Sequence, residues 1–321
     1  MSKKHKSNLI NGEWTENGSQ FMSINPSDTS DQIGPFYEAT ENDCHLAISS
    51  AKNAFDSWSE SQLEERKKIL DQIGDALINN SQEIGKLIAR EEGKTVAEGV
   101  GEVYRSGQFF QYFGAEVLRQ MGEVATSVRP NIDIEVTREP LGVIGIITPW
   151  NFPVAVAAWK IAPAIAYGNS VVLKPSEIVP ASASAFAEII HQSELPDGVF
   201  NCVQGSGDVG QMITNSKNID GISFTGSVRT GKQIAQNAMK NMVRIQMEMG
   251  SKNALVILND ANIETAVQCA INGAFFGTGQ KCTASSRLIV EEKIHDEFVA
   301  ALTEATKALV VGHALDEKTQ I

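Results

Sequence analysis

From residue 141 onward the chain alternates short apolar runs with amphipathic stretches. Residues 143–148, 170–174, 199–204 and 221–225 read as strands, and residues 159–167, 182–191, 209–215 and 230–239 read as helices. Strands that alternate with single helices predict an α/β fold with a parallel, doubly wound, Rossmann-like sheet. Upstream, residues 41–58 and 60–92 carry helical spacing, with Ile69, Ile73, Leu77, Ile84 and Leu87 recurring at three or four, so these helices pack outside the sheet. Residues 100–121 read as another helix. Residues 122–138, in which Ile132, Ile134 and Val136 alternate with polar neighbours, read as an exposed strand pair. No internal repeat or low-complexity tract interrupts the pattern. Asn259-Asp260-Ala261-Asn262 marks the passage into a second domain over residues 259–321.

Against this frame one segment carries unusual chemistry. Gly279-Gln280-Lys281-Cys282, followed by Thr283-Ala284-Ser285-Ser286-Arg287, places a cysteine in a glycine-flanked turn beside a lysine. A thiol with a reference pKa of about 8.5 is mostly protonated at neutral pH, so a reactive cysteine needs a nearby cation, helix-end amides or a base. Lys281 is a candidate for the cation. A cysteine among small residues is also compatible with an inert packed thiol.

Three upstream segments favour the reactive reading. Pro149-Trp150-Asn151-Phe152-Pro153 follows an apolar strand and forms a rigid turn, in which the Asn151 amide either caps its own turn or donates to a developing oxyanion. In Met247-Glu248-Met249-Gly250-Ser251-Lys252-Asn253 one carboxylate sits among apolar residues. Burial there would raise its pKa and suit it to take a proton from water or thiol, or it pairs with Lys252 for structure. Phe224-Thr225-Gly226-Ser227 lies between a strand and a helix start, an arrangement of amides and a hydroxyl that suits a phosphate.

With Lys174-Pro175-Ser176-Glu177, these segments occur in an order that resembles the NAD(P)-dependent aldehyde dehydrogenase superfamily. The resemblance runs from about Leu9, where Ile10-Asn11-Gly12-Glu13-Trp14 is similar to the family's amino-terminal segment, to the last residue. One departure is Ser251, which stands where family members usually carry a second glycine. The resemblance implies roles for Cys282 as nucleophile, Asn151 as oxyanion donor and Glu248 as general base. It implies NAD or NADP as cofactor, bound by Thr148, Pro149, Trp150, Lys174, Ser176, Glu177, Gly207, Gly210, Phe224, Thr225, Gly226, Ser227 and Gly250. Lys174 and Glu177 would hold the adenosine ribose hydroxyls, with the pyrophosphate near Ser227. Residues 1–121 and 139–258 would then form the cofactor-binding domain, and 122–138 a strand segment that crosses to a neighbouring subunit of a homo-dimer or homo-tetramer. Family subunits are about half as long again, so the expectation is a chain shortened at its carboxy terminus. The part expected to follow holds the nicotinamide ribose and completes the catalytic domain.

Two other nucleotide motifs are weaker. Gly205-Ser206-Gly207-Asp208-Val209-Gly210 fits the dinucleotide fingerprint, but the acidic ribose ligand expected about 20 residues on is not clear. Gly226-Ser227-Val228-Arg229-Thr230-Gly231-Lys232-Gln233 ends in Gln233 where a P-loop needs Ser or Thr for magnesium, and is rejected as one. For Lys174 alone an exposed strand-end lysine is the plain reading; Pro175 and Glu177 at family spacing reverse it.

Composition narrows the partners. The 321 residues are 42% hydrophobic and 21% charged, enough for two cores. A net charge of -12 argues against nucleic acid or an anionic membrane surface. Lys3-Lys4-His5-Lys6 is followed by polar residues rather than an apolar core, and no stretch of roughly 18 apolar residues exists to span a bilayer, so the cytoplasm is the expected compartment. Cys44, Cys202, Cys269 and Cys282 lack paired metal spacing, and the five histidines are scattered, so no metal site is expected.

The expected reaction is oxidation of an aldehyde to a carboxylate through a cysteine thiohemiacetal and thioester. Relatives that pass the acyl group to coenzyme A generally lack the base at Glu248, so hydrolysis is favoured. The motifs around Glu248 and Cys282 most resemble the 2,5-dioxopentanoate (α-ketoglutaric semialdehyde) dehydrogenase branch. Arg105 is weighed as a partner for a substrate carboxylate and as a helix-surface residue, and the surface role is preferred. Glu177 would repel a 2′-phosphate and favours NAD, although branch members often accept both cofactors. A cofactor-independent cysteine esterase and a catalytically incompetent nucleotide-binding relative are the alternatives.

Overall fold

The computed structural model describes residues 6–119 and 122–321. The amino-terminal part forms two hairpins, β1 (Asn8–Ile10) with β2 (Glu13–Thr15) and β3 (Gln20–Ile24) with β4 (Gln32–Tyr37). Four helices follow: α1 (Glu41–Ser59), α2 (Leu63–Asn79), α3 (Ser81–Glu92) and α4 (Val96–Glu116). The 60–92 stretch, expected as one helix, is therefore two, broken at Asn80. The helix expected at 100–121 starts earlier, at Val96, where Thr95 and Glu98 form a capping box. Its far end at Met121 lies outside the described residues, as do Lys3, Lys4 and His5. β5 (Glu123–Thr126) and β6 (Asp133–Val136) pair antiparallel and are exposed throughout.

The alternating region then gives β7 (Val143–Ile147), α5 (Ala155–Ala166), β8 (Ser170–Lys174), α6 (Pro180–His191), β9 (Phe200–Cys202), α7 (Gly207–Asn215), β10 (Gly221–Gly226), α8 (Val228–Lys240) and β11 (Arg244–Met249). Their sheet runs β11-β10-β7-β8-β9-β1-β2; the strands from β7 to β11 are parallel, and the β1–β2 hairpin is added antiparallel at one edge. The strand period of two decides what covers each face. Ile144, Ile146, Val171 and Leu173 pack with Ile161 of α5 and Phe186 of α6. Val143, Ile147 and Val172 point the other way and pack with Ala47 of α1, Ile213 of α7 and Ile234 of α8. β8 is buried at every residue.

The chain grows from β7 outward to β9, then returns to lay β10 on the opposite side of β7. That reversal makes a crevice at the carboxy-terminal ends of β7 and β10, the place where doubly wound sheets take ligands.

After β11, strand β12 (Asn253–Ile257) leaves this sheet and pairs parallel with β13 (Ser285–Val290). Helices α9 (Ile263–Ala274) and α10 (His295–Lys307) pack with it around Ile257, Val267, Ala270, Ile271 and Phe298. Residues 253–257, placed by the sequence reading before the boundary at Asn259, thus pair with the segment after it. The apolar strand alone does not reveal which sheet it joins.

Candidate active site

The turn after β7 is held by its neighbours rather than by its own side chains. Asn151 does not cap itself: its Nδ2 donates to the carbonyl oxygen of Gln280 at 2.7 Å, two residues before Cys282. Lys94 Nζ donates to the Asn151 carbonyl at 2.7 Å. The Asn151 Oδ1 is buried and makes no hydrogen bond among the described residues.

The cysteine segment is shaped by three consecutive residues with positive φ: Gly277 at 63°, Thr278 at 53° and Gly279 at 67°. At Gly279 a Cβ would lie 2.8 Å from the Ala274 carbonyl oxygen, so a glycine is required. Such backbone persists where the surroundings impose it. Here Asn253 Nδ2 donates to the Cys282 carbonyl at 2.6 Å and to the Ala284 carbonyl at 3.3 Å. The bonds that fix the segment thus use its carbonyls. Cys282 is exposed, whereas Cys44 and Cys202 are buried, and burial pushes both of their thiols up to about 12. Lys281 Nζ donates to the Asn272 carbonyl at 3.4 Å.

Glu248, expected to be buried among its apolar neighbours, is exposed, because it lies on β11, the outer strand of the sheet. It accepts a hydrogen bond at 3.0 Å from Gln246 Nε2. Gln246 Oε1 in turn accepts from Lys160 Nζ at 2.9 Å and from Ser223 Oγ at 2.6 Å. Lys160, only 7% exposed, also donates to Ser223 Oγ at 2.8 Å. Burial holds its ammonium down to about 8, against the pull of Glu248. Sequence reading missed this lysine because it appears there as one position of an apolar helix.

At the crevice, Thr148 and Thr225 each bury a hydroxyl that has no hydrogen-bond partner among the described residues. They stand one residue beyond Ile147 and Phe224, which are paired across β7 and β10. Two adjacent orphaned hydroxyls at a switch point fit a polar ligand such as a dinucleotide. Lys174, at the end of β8, is buried rather than an exposed strand end, and pairs with Glu177 at 3.1 Å. Desolvation lowers its pKa, opposed by Glu177 and Glu38. Ser176 is buried beside it. Ser227 caps α8, its Oγ accepting from Thr230 N at 3.1 Å, so the helix start opens at the end of β10. Space stands open above Gly207 and Gly250, whereas a Cβ at Gly210 would meet Ile147 Cδ1 at 3.7 Å, an ordinary contact. Phe224, expected among the cofactor contacts, turns its ring into the core beneath α8, because strand alternation puts it opposite Thr225. Pro149 and Trp150 are half-buried beside Thr148. Arg105 donates to Gln108 Oε1 at 3.0 Å on the exposed face of α4.

A profile described as "Aldehyde dehydrogenase family" matches residues 14–321. The chain belongs to the aldehyde dehydrogenase family. Among its curated relatives, the alpha-ketoglutaric semialdehyde dehydrogenase of Bacillus subtilis is 38% identical over 313 residues, covering 97% of this chain and 64% of that protein. The 2,5-dioxopentanoate dehydrogenase of Saccharolobus solfataricus is 38% identical over 303 residues, covering 94% of this chain and 63% of that protein. A crystal structure of betaine aldehyde dehydrogenase from Staphylococcus aureus in complex with NAD+ superposes with a TM-score of 0.96 at 36% identity, covering 99% of this chain and 64% of that one. An E. coli NADP dependent enzyme superposes equally well, with a TM-score of 0.96 at 32% identity over 99% of this chain and 66% of that one. The chain spans slightly less than two thirds of the length of these curated aldehyde dehydrogenases. Among the described residues no group of three or more His, Cys, Asp or Glu is arranged to hold a metal ion, and no helix is long and apolar enough to cross a membrane.

Proposed function

We propose that the protein oxidises an aldehyde to a carboxylate with NAD or NADP. The observation that carries this reading is the hydrogen bond from Asn151 Nδ2 to the Gln280 carbonyl, which brings an amide donor to the segment of an exposed cysteine. The Cys282 thiolate attacks the aldehyde carbon, and the Asn151 amide and the Cys282 N–H take the developing oxyanion. For the amide to serve there, Nδ2 exchanges its bond to Gln280 for one to the oxyanion. The nicotinamide cofactor, when bound, is the hydride acceptor. Glu248 deprotonates the water that cleaves the Cys282 thioester, and its exposure gives that water access.

Cofactor assignment rests on the orphaned hydroxyls of Thr148 and Thr225, the buried Lys174 and Ser176, and the open helix start at Ser227. Both an NAD+ complex and an NADP dependent enzyme occur among the similar structures, so both cofactors stand. Glu177, paired with Lys174, disfavours a 2′-phosphate and tips the preference toward NAD. The substrate we favour is a semialdehyde such as 2,5-dioxopentanoate, the substrate named for one relative. Relatives named for betaine aldehyde and malonate semialdehyde reach the same 38% identity, so identity does not rank the substrates. We further assign residues 1–121 and 139–258 chiefly to cofactor binding, residues 122–138 to oligomer contact and residues 259–321 to the start of the catalytic domain. A cytoplasmic homo-oligomer is the form we expect to act.

The test follows reduced-nicotinamide absorbance with 2,5-dioxopentanoate and other aldehydes, with NAD or NADP, beside Cys282→Ala. Turnover that disappears in the variant supports the reading, and turnover that survives it sinks the reading.

A further inference from the structure

A buried ion pair lies behind the Asn151 turn. Lys94 follows α3 and Glu102 lies on α4; they are 5% and 6% exposed, and Lys94 Nζ donates to Glu102 Oε2 at 2.7 Å. Burying two charges is costly unless nearly every donor and acceptor is used. Here they are used on one segment. Lys94 Nζ also donates to the Asn151 carbonyl at 2.7 Å and lies 4.0 Å from the centre of the Phe152 ring. Glu102 Oε1 accepts from the backbone N–H of Val154 at 2.9 Å and of Ala155 at 3.1 Å. These amides open α5, whose N-cap residue Val154 supplies no side-chain cap. A helix elsewhere in the fold thus provides the carboxylate that a local Ser or Asp would otherwise provide.

We propose that Lys94 and Glu102 are positioning residues for Asn151, a buried pair that fixes the 151–155 backbone and so aims the Asn151 amide at the cysteine segment. The pair contacts the turn at Asn151, Phe152, Val154 and Ala155, and Asn151 alone continues from it to Gln280. A pair that served only to join α3 to α4 would not need these bonds. Glu92, whose Oε2 lies 3.9 Å from Lys94 Nζ, is a second acidic group beside the ammonium, its pKa raised to about 7 by burial. The inference rests on the reading of Asn151 as the oxyanion donor.

The test uses the full-length protein with Lys94→Met, Glu102→Gln and each combined with Asn151→Ala. Misplacing a reacting group by about 1 Å costs on the order of 100-fold. Lys94→Met is therefore expected to lower kcat by about 100-fold, with KM for NAD within about twofold, and to add no further loss to Asn151→Ala. Losses that multiply in the double variant, or a kcat within about threefold of the parent, overturn the proposal. Glu102→Gln keeps the shape but replaces one acceptor oxygen with an NH2 that cannot serve both Lys94 and the Val154 and Ala155 amides, and carries the same cycle if Lys94→Met does not fold. Hydrogen exchange separates this inference from the proposed activity. Even in a parent protein that oxidises no aldehyde, a peptide spanning 151–155 should exchange faster in both variants while β8 stays protected. Unchanged exchange at 151–155 overturns the positioning role.

Discussion

Asn151 and Gln280, 129 residues apart, are joined by a single hydrogen bond of 2.7 Å from side-chain amide to backbone carbonyl. It ties the turn after β7, in the large sheet, to the cysteine segment of the smaller one. The donor that makes this tie is the one assigned to the oxyanion, so structure and catalysis draw on the same amide.

Asn151→Ala is therefore expected to lower kcat by about 100-fold or more, the usual effect of losing one oxyanion donor. Cofactor affinity, read by fluorescence titration, should change little, because the Thr148 and Thr225 hydroxyls lie elsewhere on the crevice. Unchanged kcat removes Asn151 from the mechanism.

Glu248→Gln keeps the bond from Gln246 within reach but removes the base. One equivalent of reduced nicotinamide should appear rapidly, followed by a steady rate lower by roughly 100-fold, because general-base assistance contributes on that scale. A stopped-flow trace without the burst contradicts the assignment of Glu248 to thioester hydrolysis.

Lys174→Ala removes a buried ammonium and leaves Glu177 exposed without its partner. KM for the cofactor should rise by about 10-fold, equivalent to about 1.4 kcal/mol, with kcat nearly unchanged. A change confined to kcat places Lys174 outside the cofactor site.

Lys160 provides a pH dependence with a definite sign. Its folded pKa, about 8, lies below the reference value of 10.5. Between these values the unfolded chain binds more protons, so this residue's contribution to stability rises as pH increases from about 8 toward 10.5. Below that window the buried ammonium is a fixed cost. The thermal midpoint of the parent relative to Lys160→Met should therefore climb across the window. A flat difference means Lys160 is not strained by burial.

Glu91→Ala tests the scaffold apart from the chemistry. The buried Glu91 carboxylate accepts from Ala181 N at 2.7 Å, Ser182 N at 2.7 Å and Ser182 Oγ at 2.6 Å, capping α6 from α3. Its removal leaves two buried amides unpaired and should destabilise by about 2–4 kcal/mol in urea unfolding. A loss under about 0.5 kcal/mol would show that water replaces the carboxylate.

Much of this was legible in the sequence because it is local. Ser170–Lys174 is a strand by its own apolar run, and the glycines before Cys282 announce a backbone that other residues avoid. What the sequence misjudged depends on distant neighbours. Glu248, set among methionines, reads as buried, yet it stands on the outer strand. Lys94, Glu102 and Lys160 carry no local signal in the sequence; their burial and bonds come from segments distant in the chain.

The sequence by itself determined the strand and helix alternation, and with it the doubly wound class, and it named the chemical groups at Cys282, Asn151 and Glu248. Periodicity and side-chain chemistry are properties of the chain itself. Tertiary structure decided that β10 lies beside β7, that two threonine hydroxyls share one crevice, and that three lysines, Lys94, Lys160 and Lys174, are buried at the site. Burial and hydrogen-bond partnership depend on which segments meet across a hundred or more residues, and only the packed sheet and its helices bring those segments together.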